Sequence, residues 1–154
     1  MLRNAIRITG VLAVVSVVAG CQPPDEGVYV EARLLGDHEE AMAYGNHLRV
    51  RAVPDHRDGF SPSRPDFGER VYEGECPLDH VEFPLDFFLS GSDRLLQHAP
   101  ARWLLLAWVT DHPEATWVAE GQLYGTTTFE FNEDSYAGHW AEGLVIELDQ
   151  VREQ

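Results

Sequence analysis

The sequence predicts an all-β fold, an antiparallel β-sandwich of about seven to eight short strands with at most one short helix. Apolar and polar side chains alternate along most of the chain after residue 27, as in strands with one buried and one solvated face. Trp103–Val109 is instead apolar on both faces and predicts a central strand whose outer face is also covered. Only Asp37–Tyr44 has the composition of a helix, about two turns long.

The first half of the chain predicts a strand, the helix and a second strand, in that order. The first strand buries four aliphatic side chains, Val28, Val30, Ala32 and Leu34. The helix begins after the N-cap Asp37 and ends at the C-cap Gly45. The second strand buries Leu48, Val50 and Ala52. If these two strands pair, Glu31 and Arg33 face Arg49 and Arg51.

The remaining strands follow a long connection, Pro54–Gly68, whose length is typical of a functional or mobile loop. Besides the central strand they are predicted at Arg70–Glu73, Val81–Leu89, Thr116–Leu123, Thr126–Phe131 and Leu144–Leu148. The Val81–Leu89 strand is an edge strand or contains a bulge, because Pro84 lacks a backbone N–H. Gly121 and Gly125 mark a turn or bulge between the Thr116–Leu123 strand and the Thr126–Phe131 strand.

The N-terminus has the organisation of a secretory signal peptide, residues 1–20. Arg3 and Arg7 precede the apolar run Ile8–Ala19, which is too short for a permanent membrane span. The run ends in Val18-Ala19-Gly20-Cys21, which resembles the lipobox of bacterial lipoproteins. The resemblance implies lipidation (palmitate) of Cys21 and cleavage after Gly20. The alternative is an ordinary secreted protein in which Cys21 is a structural cysteine.

Cleavage would leave 134 of the 154 residues: a lipidated Cys21 and tether at residues 21–27, then one β-sandwich domain at residues 28–154. The leader contains two arginines and no acid, so its removal takes the formal charge from −15 to −17. Such an acidic protein repels nucleic acid and anionic headgroups, so we expect membrane contact only through the lipid anchor. Gln22 is not the aspartate associated with inner-membrane retention, which favours the outer membrane, facing the periplasm.

Lipidation of Cys21 would leave Cys76 without a partner, and we expect Cys76 to be a free, buried thiol. No CxxC motif is present for thiol redox chemistry. His38-Glu39 begins a zinc-protease motif, but Met42 stands where the second histidine is required. Asn132-Glu133-Asp134 resembles the start of a calcium-binding loop, but the later positions lack the residues that such a loop requires.

Four Asp-His pairs occur, at Asp37-His38, Asp55-His56, Asp79-His80 and Asp111-His112. Such pairs can bind zinc or copper, but neighbours on a strand point to opposite faces, so we interpret them as solvated turn residues. No spacing selects a catalytic residue, a metal site or a cofactor site.

Two aromatic side chains are stronger candidates for a binding surface. Phe88 and Trp108 fall on the outer faces of their strands and predict an exposed patch that binds a partner; the alternative is that they are covered.

The strand Phe83-Pro84-Leu85-Asp86-Phe87-Phe88-Leu89 and the later strand that begins Arg102-Trp103 resemble the YbaY/YscW group of small bacterial lipoproteins. That group includes pilotins, which carry secretins to the outer membrane. The resemblance implies a β-sandwich and no catalytic residues, and it departs in the loop Pro54–Gly68. We therefore expect a non-enzymatic envelope lipoprotein that binds or assists assembly of another envelope protein. The alternatives are a His/Asp metal-binding domain, or an enzyme or enzyme inhibitor without a recognisable motif.

Overall fold

The computed structural model describes residues 27–55, 72–96, 99–134 and 138–153. The predicted signal peptide, Cys21 and residues 22–26 of the tether lie outside the described residues, as does most of the loop Pro54–Gly68. The first strand already includes Gly27, which had been predicted as the last residue of the tether. Among the described residues, no helix reaches the length and apolar character of a membrane span.

Nine strands and one helix make up the described chain. The strands are β1 (Gly27–Leu35), β2 (His47–Pro54), β3 (Tyr72–Pro77), β4 (Leu85–Ser92), β5 (Arg102–Thr110), β6 (Leu123–Glu130), β7 (Asn132–Asp134), β8 (Gly138–Glu147) and β9 (Gln150–Val151). The helix α1 spans His38–Tyr44, and short 3₁₀ turns lie at Leu78–His80 and Asp93–Leu96. The Asp37 side chain accepts a hydrogen bond from the Glu40 N–H at 2.8 Å, which confirms the predicted N-cap.

The strands form two sheets, and the predicted all-β sandwich is confirmed. The first sheet has the order β4-β1-β8-β7 and the second has the order β3-β2-β5-β6-β9. Every strand pair is antiparallel except β1 with β8, which run parallel. Four strands of the second sheet (β2, β3, β5 and β6) and two of the first (β4 and β7) lie between β1 and β8 in the chain, a separation that allows a parallel pair. Local alternation carries no information about such a long-range pairing.

β1 and β2 lie in different sheets, so the predicted pairing of Glu31 and Arg33 with Arg49 and Arg51 is wrong. The second sheet instead places β2 between β3 and β5, with Arg49 opposite Glu75 and Arg51 opposite Glu73. Opposite charges therefore meet on neighbouring strands, as favourable cross-strand pairing requires. Arg33 pairs with Asp86 of β4 in the first sheet.

β5 is the central strand of the second sheet, as predicted, and its side chains from Trp103 onwards are all buried. Trp103, Leu105 and Ala107 point into the main core between the sheets. Leu104, Leu106 and Trp108 point the other way, into a second apolar cluster on the outer face of the sheet. The cluster is completed by Val53, Trp117, Val118 and Tyr124. Both faces of β5 are therefore covered, which explains its continuous apolar sequence.

The predicted strand at Thr116–Leu123 is wrong: residues 111–122 form an irregular segment, and β6 begins only at Leu123. Trp117 and Val118 are consecutive and both buried, and neither belongs to a strand. Turns shape the segment, with the Gln122 N–H bonded to the Ala119 carbonyl at 3.2 Å. We name residues 111–122 the cover segment, because its Trp117 and Val118 pack against the outer side of β5 in the second sheet.

β4 is an edge strand, as predicted from Pro84, but it begins at Leu85 and does not contain the proline. The Phe83–Pro84 peptide bond is cis, and residues 81–84 are not in a strand. Within β4 the side chains of Leu85, Phe87 and Leu89 are buried, whereas Phe88 is exposed. The strand thus keeps the period of two, and Phe88 lies on its outer face.

Candidate partner-binding surface

The two aromatic residues predicted to form one exposed patch lie in different sheets. Phe88 is 40% exposed on β4 of the first sheet. Trp108 is on β5 of the second sheet and is completely buried. The predicted exposure of Trp108 is therefore wrong, because Trp117 and Val118 of the cover segment pack over it. Only Phe88 remains available to a partner.

Two arginines hold the cover segment against the second sheet. Arg49, only 8% exposed, pairs with Glu73 at 3.1 Å and Glu75 at 3.3 Å, and donates to the Pro113 carbonyl. Its guanidinium also lies 5.8 Å from the centre of the Trp108 ring. Together these contacts close the outer face of the second sheet, and no aromatic patch is left open there among the described residues.

Arg51 makes the second connection to the cover segment. Its Nε donates to Glu73 at 2.9 Å, and its Nη1 donates to the Thr116 carbonyl at 2.6 Å. Glu73 therefore receives both arginines on one carboxylate oxygen. The alternation of arginines in β2 and glutamates in β3 was visible in the sequence, but their role in fixing a distant segment was not.

The outer face of the first sheet, by contrast, is not covered by any segment that the structure describes. β1, β8 and β4 direct exposed or half-buried apolar side chains to solvent there: Tyr29 (44% exposed), Phe88 (40%), Val145 (51%) and the half-buried Trp140. The strand register places Tyr29 beside Trp140, and Val145 beside Arg33. We name the outward side chains of β1, β4 and β8 the open face; its charged members are Glu31, Arg33, Asp86, Glu142 and Glu147.

A β-bulge shapes the centre of the open face. The register between β1 and β8 shifts between Val30 and Ala32, so that two residues of β8, Glu142 and Gly143, lie opposite the single residue Glu31 of β1. Gly143 has φ +70°, which a side chain would strain, and nothing lies within 4 Å of where its Cβ would be. A shallow groove of about 280 Å³ opens here, lined by Glu31, Ala32, Arg33, Asp86, Gly143, Leu144 and Val145.

The charges of the open face are unevenly paired. Arg33 binds Asp86 through two hydrogen bonds, Nε to Oδ1 at 2.7 Å and Nη2 to Oδ2 at 3.1 Å. This hydrogen bonding, with the attraction between the charges, raises the pKa of Arg33. Glu31, Glu142 and Glu147 are exposed and make no ion pair within the described parts of the chain. The open face therefore combines exposed rings with unneutralised carboxylates.

The edge strand β4 of the first sheet offers a partner a second surface to contact. Among the described strands β4 pairs with β1 alone, so its other side offers backbone groups to an added strand. One end of β4 is already occupied, because the Tyr72 hydroxyl donates to the Ser92 carbonyl at 2.7 Å. Phe88 lies within this edge strand and on the open face. A strand added to the β4 edge and a partner bound to the open face would therefore both contact this residue.

Among the described histidines, His38, His80 and His112 are exposed, whereas His47 and His139 are half-buried. Residues 27–55, 72–96, 99–134 and 138–153 contain no group of three or more His, Cys, Asp or Glu side chains arranged to hold a metal ion. His80 and Asp79 approach to 3.5 Å while both are largely exposed, and His139 and Glu133 to 3.7 Å. Asp55 departs from its interpretation as a solvated turn residue: it is 7% exposed and pairs with Arg102 at 3.2 Å.

Cys76 is buried in the core, at 5% exposure, which confirms its predicted burial. Burial, reinforced by the nearby Glu75 charge, raises the pKa of its thiol to about 12. The thiol is therefore protonated and unreactive at neutral pH. Cys21, the only other cysteine, lies outside the described residues.

The comparisons with known proteins find no matching family model, no matching curated protein and no matching solved structure. The resemblance to the YbaY/YscW lipoproteins therefore stays a prediction. Sequence reasoning identified Phe88 but missed the other apolar members of the open face, Tyr29, Trp140 and Val145. The alternation in β1 did mark Tyr29 as outward-facing. Nothing local indicated that β8 would lie beside β1 and bring Trp140 and Val145 to the same surface.

Proposed function

We propose that this protein is a non-enzymatic cell-envelope lipoprotein whose β-sandwich binds another envelope protein, or assists its assembly, through the open face. The observation that carries the proposal is the asymmetry of the sandwich. The cover segment buries the outer side of β5, including Trp108, whereas the other sheet leaves Tyr29, Phe88 and Val145 40–51% exposed. Exposed aromatic residues grouped on one surface are typical of protein interfaces.

The proposed anchoring supports the same function. A lipid on Cys21 would leave five residues, Gln22–Glu26, before β1 begins at Gly27. An extended chain of that length spans at most about 20 Å, so the domain would stay close to the bilayer. We propose the outer membrane, facing the periplasm, as its location. Membrane-bound partners are then within reach, and the lipid itself provides the membrane contact.

Site-specific photocrosslinking in intact cells tests the proposal. Benzoylphenylalanine replaces Phe88 on the open face or, as a matched control, the exposed Thr128 on the outer side of the second sheet. We expect a specific protein adduct from position 88 and none from position 128, with the partner identified by mass spectrometry. Equal adducts from both positions, or none from position 88, would contradict the proposal.

A further inference from the structure

The open face carries an excess of negative charge at the positions where a partner would contact it. Arg33 is the only cation that the described parts of β1, β4 and β8 direct to this face, and Asp86 neutralises it. Three exposed carboxylates, Glu31, Glu142 and Glu147, remain without an ion-pair partner among the described residues. A partner that covers them must supply compensating positive charge, because burying an unpaired carboxylate is costly.

The aromatic rings lie beside these carboxylates. Glu31 is directly opposite Phe88 in the β1–β4 register, and Tyr29 is beside Trp140 in the β1–β8 register. Side chains opposite each other on one face of antiparallel strands have Cβ atoms about 5 Å apart. One arginine or lysine of a partner can therefore lie over the Phe88 ring and reach the Glu31 carboxylate. Arg49, over the buried Trp108 ring and paired with Glu75, shows the same combination within this fold.

From this arrangement we propose that the open face binds a cationic segment of its partner, in which arginine or lysine residues and apolar residues share the contacting face. The inference rests on the proposed function and adds the chemistry of the partner. Apolar side chains of the segment would cover Val145 and the groove at Gly143, while its cations meet Glu31 and Glu147. A second copy of this chain fits less well, because two open faces would oppose the same unpaired carboxylates. Anionic headgroups are repelled for the same reason.

Binding of defined peptides to the lipidated protein in non-ionic detergent tests this chemistry. The probes are fluorescein-labelled 12-residue peptides with the repeats Arg-Arg-Leu-Leu, Glu-Glu-Leu-Leu and Arg-Arg-Ser-Ser (the Arg-Leu, Glu-Leu and Arg-Ser peptides), each of which places both of its residue types on either face of an extended chain. Binding is followed by anisotropy, with micelles alone as the blank. We expect the Arg-Leu peptide to bind more tightly than both others, and its affinity to fall on going from 50 to about 500 mM salt. Equal binding of the Arg-Leu and Glu-Leu peptides would overturn the inference.

Charge-matched variants locate the binding. Glu31→Gln with Glu147→Gln removes two open-face carboxylates, and Glu120→Gln with Glu130→Gln removes two exposed carboxylates elsewhere. We expect the first double variant to weaken Arg-Leu binding by about threefold to tenfold and the second to leave it unchanged. Equal effects would show attraction to net charge alone and would refute the site. Self-association through this face, seen by sedimentation and abolished in the first variant, would also overturn it.

Crosslinking from position 88 separates this inference from the function on which it rests. If the Glu31→Gln, Glu147→Gln double variant still forms the same partner adduct in cells at the same yield, the open face binds a protein but not through these charges. The inference then fails and the proposed function stands. If position 88 forms no adduct in any variant, both fail. A loss of the adduct restricted to the open-face variant supports both.

Discussion

The Arg49 guanidinium lies 5.8 Å from the centre of the Trp108 ring, on the outer face of the second sheet. Arg49 also pairs with Glu73 and Glu75 on β3 and donates to the Pro113 carbonyl. The residue therefore connects a strand pair, a buried ring and an irregular segment. As a consequence, one sheet of the sandwich is covered on both faces, and the other keeps one face open.

Trp108→Ala should destabilise the protein, because the indole is completely buried. Truncating a buried tryptophan typically costs about 3–5 kcal/mol. Phe88→Ala, at a 40% exposed position, should cost no more than about 1 kcal/mol. Urea denaturation of both variants measures the difference. Equal losses of unfolding free energy would contradict the assignment of Trp108 to the core and Phe88 to the surface.

Arg49→Met should loosen the cover segment. The substitution keeps much of the apolar stem but removes the pairs with Glu73 and Glu75 and the bond to the Pro113 carbonyl. Loss of such part-buried charged hydrogen bonds costs about 1–3 kcal/mol. Hydrogen exchange should accelerate in residues 111–122 more than in β1 or β8. Arg33→Met, which breaks the exposed pair with Asp86, is the matched control and should leave exchange in residues 111–122 unchanged.

Gly125→Ala should be far more damaging than Gly121→Ala. A Cβ at Gly125 would lie 2.0 Å from the Glu147 carbonyl oxygen, so the β6 and β8 backbones would have to separate. We expect a loss of about 3 kcal/mol or more, the upper end for overpacking. Gly121 has φ +77° but open space around its Cβ position, so alanine should cost only the left-handed strain of about 1–2 kcal/mol. Thermal unfolding of the two variants would reveal any reversal of this order.

The stability of the protein should fall above about pH 9. The Cys76 thiol has an ordinary pKa of 9.0, which burial raises to about 12 in the folded protein. Below pH 9 both states keep the thiol protonated. Between pH 9 and 12 the unfolded chain loses this proton and the folded protein does not, so stability decreases with rising pH, by up to about 1.4 kcal/mol per pH unit.

Burial also raises the pKa of Tyr72. Its ionisation in the unfolded chain likewise lowers the stability of the folded protein as the pH rises, but this effect begins near pH 10. The interval from pH 9 to 10 therefore reports mainly on Cys76. Urea midpoints measured across this interval should decline in the wild-type protein and decline less in Cys76→Ala. The native thiol should react with iodoacetamide at pH 8 only as fast as the protein unfolds. Rapid alkylation of the folded protein would show that Cys76 is accessible.

Cys21→Ala should abolish palmitate labelling and release the protein from membranes. The expectation follows from the signal peptide and the lipobox-like Val18-Ala19-Gly20-Cys21. Metabolic labelling and membrane fractionation measure the two effects, and Cys76→Ala serves as the control that should keep both the label and the anchor. Labelling that persists in the Cys21 variant would refute lipidation at this residue. Co-fractionation of the wild-type protein with inner-membrane markers would contradict the outer-membrane location.

Periodicity in the sequence was sufficient for β1, β2, β5 and the helix cap at Asp37, because these depend on nearest neighbours along the chain. It failed at residues 116–122, where two consecutive buried side chains belong to an irregular segment. It also failed to decide the exposure of Trp108. An apolar residue on the outer face of a strand has the same sequence pattern whether solvent or a distant segment covers that face.

The sequence by itself determined the fold class, the burial of Cys76 and the outward position of Phe88 on an edge strand. Only the tertiary structure decided which strands share a sheet, and hence that Tyr29 and Trp140 share the open face with Phe88 while Trp108 does not. The physical reason is that alternation specifies which side of a strand is apolar but not what packs against it. The parallel β1–β8 pair and the cover segment held by Arg49 join residues far apart in the chain, and these long-range contacts leave one face open.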